Sequence, residues 1–277
     1  MKMMSFFIAI STLAGCASAI STTQSAETLR PGGVMVSAGN NVSVPASRIV
    51  DTIDAATNLE EKLRNNPQYQ VTAEDRAQYE DAVLGLALNQ PGAAADFMIR
   101  YGVAKHFDAG LRYSSTGVHL DAKYQFLDGG ATGWHGALSL GVRRHLFSGL
   151  LFDVLDKIDI NDFSRTDVEV PLLFGRSFRQ KIGGGLSLSG RTWFGPKVIF
   201  SKVAVDAKLG TIDETLTLED RMYYAGALAG GAFGIAPIEL FAEITVLNLV
   251  AKPTIASRQR DLGGIIVMPT VGVQARF

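Results

Sequence analysis

Residues 264–277, GIIVMPTVGVQARF, decide how the rest of the chain is read. Ile265, Val267, Val271, Val273, Ala275 and Phe277 share one parity; Ile266, Met268, Thr270, Gly272, Gln274 and Arg276 share the other. A period of two, apolar on one side and mixed on the other, describes a strand with two different neighbours. The segment finishes on an aromatic residue, Phe277, with no tail behind it.

Moving outward from that strand, the same period returns along most of the chain. It is clearest at 118–126, where Val118, Leu120, Ala122, Tyr124 and Phe126 alternate with His119, Asp121, Lys123 and Gln125. Charges at every second position cannot face lipid, where each costs about 2–4 kcal/mol near the midplane. They can face a watery or ion-paired interior. Comparable segments lie at 33–44, 94–104, 109–114, 137–143, 168–177, 186–200, 223–233 and 239–246. Together with the last strand they make roughly ten. Pro196 cannot donate to a ladder, so the upper part of its strand is expected to be irregular or beyond a bilayer. Ranges 148–166, 201–220 and 251–263 are expected as long connections, the first with a short helix near 150–155.

Residues 46–92 differ in kind. Ile49, Ile53, Ala56 and Leu63 recur at helical spacing until Asn65-Asn66-Pro67, and Thr72-Ala-Glu-Asp75 has the form of an N-cap before a second helical run. This helical insertion between the first two strands is read as an extracellular loop or a plug.

Composition bounds the function. With 277 residues and a net charge of -1, nothing points to nucleic acid as a partner. Apolar residues make up 47%, but beyond the N-terminus no run reaches the roughly 18 residues that a membrane helix needs. One cysteine rules out an internal disulfide or a CxxC metal site. The N-terminus carries Lys2, an apolar run from Met3 to Ala14, and then Leu13-Ala14-Gly15-Cys16, in the manner of a secretory signal.

The alternation closing on a terminal aromatic resembles bacterial outer-membrane β-barrel proteins from about Gly32 onward. The stretch ending at Cys16 resembles a bacterial lipobox. The first resemblance implies an all-β, antiparallel, up-and-down transmembrane barrel of roughly ten strands spanning 32–277. It also implies that Phe277 serves as a signal for barrel-assembly machinery. The second implies a signal peptide at 1–15, lipidation of Cys16 and a lipidated polar tether at 16–31, with the N-terminus periplasmic. A competing cleavage site follows Ala17-Ser18-Ala19. A periplasmic N-terminus would put the short connections 105–108, 128–133, 179–183 and 234–237 on the periplasmic side and the long ones outside, the asymmetry such barrels have.

The interior set on this reading is Asp96, Arg100, Asp108, Arg112, His119, Asp121, Lys123, Arg143, Glu169, Arg191, Glu239, Glu243 and Arg276. Both signs are represented, so the expectation is a cross-linked lumen with little open channel, and a narrow solute pore is the alternative. Tyr101, Tyr113, Tyr124, Phe126, Trp134, Phe147, Trp193, Tyr223 and Tyr224 would form interfacial girdles. His119 and Asp121 share a face, and Ser114 or Ser115 would complete a hydrolase set. An inward polar residue is the simpler reading, so no catalytic residue, metal or cofactor is assigned. Arg258 and Arg260, in an expected outer loop, are candidates to meet lipopolysaccharide phosphates. The functional expectation is an outer-membrane lipoprotein barrel with a structural or small-solute passage role, in contact with outer-membrane lipid. Two alternatives stand beside it. One is an outer-membrane enzyme acting on lipid or envelope polymer; the other is a soluble periplasmic lipoprotein barrel that binds an apolar ligand, with the apolar parity turned inward.

Overall fold

The structure is a computed structural model that describes residues 20–277, apart from 67, 76, 79–80, 82–90, 131–132, 147–157, 210–214 and 256–257. Ten strands close into one barrel. In chain order they are β1 (Val34–Ser43), β2 (Gly92–Ala104), β3 (Phe107–Ser114), β4 (Gly117–Asp128), β5 (Trp134–His145), β6 (Ile158–Gly183), β7 (Leu186–Leu209), β8 (Thr215–Ile235), β9 (Ile238–Val250) and β12 (Gly264–Arg276). Each pairs antiparallel with its neighbours, and β12 closes the ring on β1 with Ala38 opposite Val273. Phe277 extends that seam: its N–H donates to Val34 O at 2.8 Å, and its own carbonyl accepts from Val34 N at 3.2 Å. The two-residue strands β10 (Thr254–Ile255) and β11 (Arg258–Gln259) form a separate hairpin in the connection before β12.

Exposure decides which side of the wall is which. On β9, Leu240 is 69% exposed while Glu239 is 2% exposed. On β2, Phe97 is 52% exposed and Asp96 only 5%. The same inversion runs through β3, β4 and β5, where Leu111, Tyr113, Leu120, Tyr124, Leu138 and Leu140 all face outward. A soluble barrel would bury these residues and expose the charges. Here the apolar face can be satisfied only by hydrocarbon, and the closed ladder leaves no unpaired edge within it. This is a transmembrane β-barrel. The inverted, ligand-binding alternative is removed by the same observation.

Several expectations at the barrel ends need correction. β6 begins at Ile158, β7 runs to Leu209 and β8 starts at Thr215, so most of the polar ranges 158–166, 201–209 and 215–220 is strand rather than loop. Above the apolar band, a strand needs no greasy face to remain in the ladder, so the periodicity that marks membrane strands fades while pairing continues. The helix expected near 150–155 lies outside the described residues. β7 also passes through Pro196 without ending. Pro196 stays in register with Ala227 of β8. On the β6 side, paired positions stop at Pro171–Lys197 and resume at Phe174–Phe194. The missing donor is absorbed as a short gap in one ladder.

The helical insertion begins as expected with α1 (Ala46–Asn65). It stands at the long-connection end, with Val50, Ile53 and Leu63 exposed and Ala55 buried, so this helix does not plug the lumen. Its base is fixed to β12: Ser47 Oγ accepts from Ile265 N at 3.0 Å, and Arg48 Nη2 donates to Asp261 O at 3.0 Å and also to Gly263 O. Beyond it, Thr72 Oγ1 accepts from Asp75 N at 3.2 Å and Asp75 Oδ2 accepts from Thr72 N at 3.0 Å, a reciprocal cap of the kind the sequence suggests.

The core of this fold is the lumen. Toward the long-connection end its lining is apolar, with Ile199, Val203, Met222, Tyr224, Leu247, Leu249, Ile266 and Met268 gathered around Ile20. Elsewhere charged side chains share the lining with two smaller apolar clusters, one around Ala26 with Leu173, Trp193 and Phe241, the other joining Leu29 to Met35 and Met98.

Candidate functional site

What fills the lumen is the chain's own N-terminal segment. Residues 20–26 are all buried, and the polar stretch expected to be a tether instead runs through the interior. Ile20 sits in the apolar cluster with Ala251 and Leu262, residues of the last long connection. From there the segment descends to residues 30–33 at the short-turn end. Gly33 N donates to Arg30 O at 2.8 Å and Gly32 N to Gly102 O at 2.8 Å, after which the chain reverses into β1. The Ser/Thr-rich composition of 21–28 gives no helical or strand period of its own, and the wall supplies the partners that a ladder would otherwise provide.

The wall holds this segment mainly by its backbone. Glu243 accepts Thr22 N at 2.7 Å and Thr23 N at 2.8 Å, and Trp193 Nε1 donates to the same carboxylate at 2.8 Å. Asp108 accepts Leu29 N at 3.0 Å, and Gln125 accepts Thr28 N at 2.8 Å. Cations take the carbonyls. Arg112 Nη1 donates to Ser21 O at 2.5 Å, Lys123 Nζ to Ser25 O at 2.9 Å and Lys197 Nζ to Ile20 O. Glu27 adds a charge from the segment itself, 2.9 Å from Arg191 Nε and 3.5 Å from Arg276 Nη1.

Every candidate interior residue lies inside the barrel, and the structure groups them. Arg100 bridges Asp108 and Asp121. Arg112 pairs with Asp96. Lys123 lies 3.4 Å from Asp108. Glu169 sits between Arg143 and Lys197, at 2.8 and 2.7 Å. Arg191 pairs with Glu239, which also accepts from Gln274 at 2.7 Å. A buried charge is tolerable only when paired and hydrogen-bonded, and here each sign meets the other across the lumen.

His119 does not assemble a hydrolase set. Its ring nitrogens make no hydrogen bond, and Glu169 Oε1 is 3.9 Å away. Ser114 Oγ is instead engaged with Thr116 Oγ1 at 3.1 Å. The ring lies over Gly141, where a Cβ would come 2.2 Å from Nε2. Among the described residues no group of three His, Cys, Asp or Glu side chains could hold a metal ion.

Some interior residues escaped the sequence reading. Arg165 and Asp167 pair at 2.8 Å, and His145 Nε2 lies 3.0 Å from Asp167; Arg165 fell within the range expected as a connection, Asp167 just beyond it, and His145 at the outer end of the preceding strand. Lys197 follows the proline that suggested irregularity, and Glu27 lay in the supposed tether. Two expected girdle aromatics point inward as well: Trp193 is 2% exposed, and Tyr224 carries the Arg165 guanidinium 5.2 Å above its ring. Parity alone would have found both. Tyr101, Tyr113, Tyr124, Phe126, Trp134 and Tyr223 do face outward. Phe147 lies outside the described residues. Arg260 is engaged with the helical insertion, 3.0 Å from Asp81. Cys16 also lies outside the described residues.

No family model matches the chain, and no curated protein matches it. Among solved structures it is similar to Neisserial surface protein A, at 12% identity over 91% of this chain and 100% of that one, with a TM-score of 0.33. It is also similar to the outer membrane protease OmpT of Escherichia coli, at 9% identity over 91% and 100%, TM-score 0.39. A third is the attachment invasion locus protein Ail of Yersinia pestis, at 9% identity over 89% and 99%, TM-score 0.27. The scores are low, and the barrel assignment rests on the wall geometry above.

Proposed function

We propose that this protein is a sealed barrel of the bacterial outer membrane, without catalysis, whose lumen is closed by its own residues 20–30. The observation that carries this reading is the capture of the segment's backbone by Glu243, Asp108, Gln125, Arg112, Lys123 and Lys197. Side chains that bridge the lumen to this central segment support a closed interior. The role is therefore structural or adhesive to the envelope lipid rather than open solute passage. Planar-bilayer recording of the intact protein tests it: silence is expected, and a steady ohmic current would overturn the seal.

Orientation follows from connection length. The short turns belong to the periplasmic side and the long connections to the outside. The segment then points its beginning, Ile20, outward. Of the two cleavage sites in the sequence, one precedes Cys16 and the other follows Ala19, and both leave the wholly buried Ile20 in the luminal segment. An acylated Cys16 would be about 14 Å of extended chain from Ile20 and on the wrong side for a periplasmic anchor. Cleavage after Ala19 is the reading supported best. The intact mass of the membrane-extracted protein tests it: a diacyl adduct on Cys16 would reverse the assignment.

A further inference from the structure

We propose that His135 works a proton-operated clasp at the short-turn end of the luminal segment: a proton on its ring and the seating of Thr28 compete for one side-chain amide, that of Gln125. The inference rests on the sealed-lumen reading above.

Gln125 stands on β4 and reaches the segment from the wall. Its Oε1 accepts Thr28 N at 2.8 Å and the Thr28 hydroxyl at 2.7 Å. Its Nε2 donates to Leu127 O at 3.2 Å. A backbone N–H can only donate and a backbone carbonyl can only accept, so these two partners fix which end of the amide is which. Nε2 is also 3.1 Å from His135 Nδ1. With an amide N–H aimed at it, Nδ1 must accept. The ring then carries its proton on Nε2, which donates to Ser177 Oγ at 3.1 Å. A seated Thr28 therefore specifies a neutral imidazole in one tautomer.

An imidazolium adds an N–H at Nδ1, where Gln125 already presents one. Two donors cannot share that contact. Gln125 offers its oxygen to the ring only by turning over, and turning over withdraws the acceptor from Thr28 and sets N–H against N–H. A seat that excludes the proton is by linkage weakened by it. Seating is complete where the ring is neutral and is lost as the ring charges. Imidazole is the side chain that ordinarily makes that change between pH 5 and 8.

The groups around the ring fit this assignment. His135 is buried, but Asp128, opposite it on β4, is exposed and gives it a path to protons at the rim. Asp128 Oδ1 lies 3.6 Å from His135 Nδ1, and Oδ2 lies 3.9 Å from Nδ1 of His106 in the β2–β3 turn. That carboxylate can receive a new Nδ1–H and draw the ring off Gln125. From the luminal segment Glu27 faces the ring. Arg191 of β7 and Arg276 of β12 already neutralise it, at 2.9 and 3.5 Å, and Lys123 of β4 takes its carbonyl at 3.2 Å. An added imidazolium therefore gains little from Glu27, and β6 presents the uncharged Ser177 hydroxyl.

The test is hydrogen exchange on the full-length protein in neutral detergent, read as the protection factor of the Thr28 amide relative to its intrinsic rate at each pH. Between pH 7.5 and 5 that factor is expected to fall at least tenfold, while that of Thr22, seated on Glu243, stays within twofold. His135→Asn keeps an acceptor for Gln125 and cannot charge, so the fall should vanish. Gln125→Glu accepts from Thr28 and from a protonated ring alike, so the fall should vanish or reverse. A Thr28 factor that does not change in the unsubstituted protein, an equal fall at Thr22, or the same fall in both variants would each overturn the clasp. The seal is read separately, by conductance at pH 7.5, where a steady current overturns the seal whatever Thr28 does.

Discussion

Glu243, on the inner wall of β9, accepts the backbone N–H of Thr22 at 2.7 Å across the lumen. The two residues are 221 positions apart in sequence, and the contact does not depend on the side chain of Thr22. Thr23 N and the Trp193 indole N–H converge on the same carboxylate. The Thr245 hydroxyl donates to it as well, so Glu243→Leu would strand four buried donors, each costing about 1–3 kcal/mol. We expect the segment to leave its seat in that variant while the barrel stays closed, so flickering conductance should replace silence in planar bilayers. Glu243→Gln keeps one acceptor oxygen and should show fewer openings.

Removing the segment altogether separates it, the occupant of the lumen, from the helical insertion that the sequence offers as a plug. Deletion of 20–31 should give a folded, heat-modifiable barrel with a continuous current. The cations that lose carbonyl partners keep acids beside them: Arg112 retains Asp96, Lys123 retains Asp108 and Lys197 retains Glu169. Deletion of 47–88 should leave the protein silent, because α1 stands outside the lumen. The reverse pair of results would return the plug to the helical insertion.

The wall was legible because lipid imposes a rule that repeats at every second residue. Leu120 and Asp121 cannot exchange places without cost, so parity alone recovers which residues face in. The segment 20–30 obeys no such rule. Ser21, Thr22, Ser25 and Thr28 would read the same in a solvated tether, because their partners are supplied by strands far along the chain. The long hairpins were missed for a related reason: beyond the bilayer, pairing persists without an apolar face. Pro196 misled because a backbone N–H serves only one of the two ladders that flank its strand, so its loss opens a gap toward β6 while the register with β8 continues.

The insertion carries a Lys62–Asp75 pair whose order should depend on pH at both extremes. Lys62 Nζ, 2.5 Å away, together with the Tyr69 hydroxyl and the Thr72 hydroxyl and N–H, holds the Asp75 carboxyl well below the usual carboxylate range. Asp75 in turn raises the pKa of Lys62. The depressed acid contributes order that is complete above its unfolded value of about 3.9 and is lost only as pH falls through the lower folded value. The raised base contributes order that is complete below about 10.4 and is lost as pH rises past that. The protection factors of the amides at 69–75, taken relative to the intrinsic exchange rate at each pH, should therefore be flat between about pH 5 and 10 and fall outside it. Asp75→Asn should remove the plateau, with faster exchange at pH 7.

The turn that sends the luminal segment into β1 offers the most selective test, because two glycines, one in it and one packed against it, have different reasons to be glycine. Gly32 has φ +78 and nothing near its missing Cβ. Gly32→Ala should cost about 1–2 kcal/mol of backbone strain and leave the segment in place. Gly102, on β2, has no unusual φ, but a Cβ there would lie 2.0 Å from Arg30 O. That oxygen belongs to the turn itself, which Gly102 also grips through Gly32 N and Gly33 O at 2.8 and 2.9 Å. No rotamer change relieves a contact with backbone, so the turn must move. The β1–β2 ladder begins just beside it, with Val34 opposite Tyr101, and need not open. Gly102→Ala is expected to lower the unfolding temperature of the heat-modifiable band, by overpacking worth about 1–3 kcal/mol, and to make the barrel conduct. Gly32→Ala should lower it comparably and stay silent. Conductance thus separates loss of the seal from loss of stability.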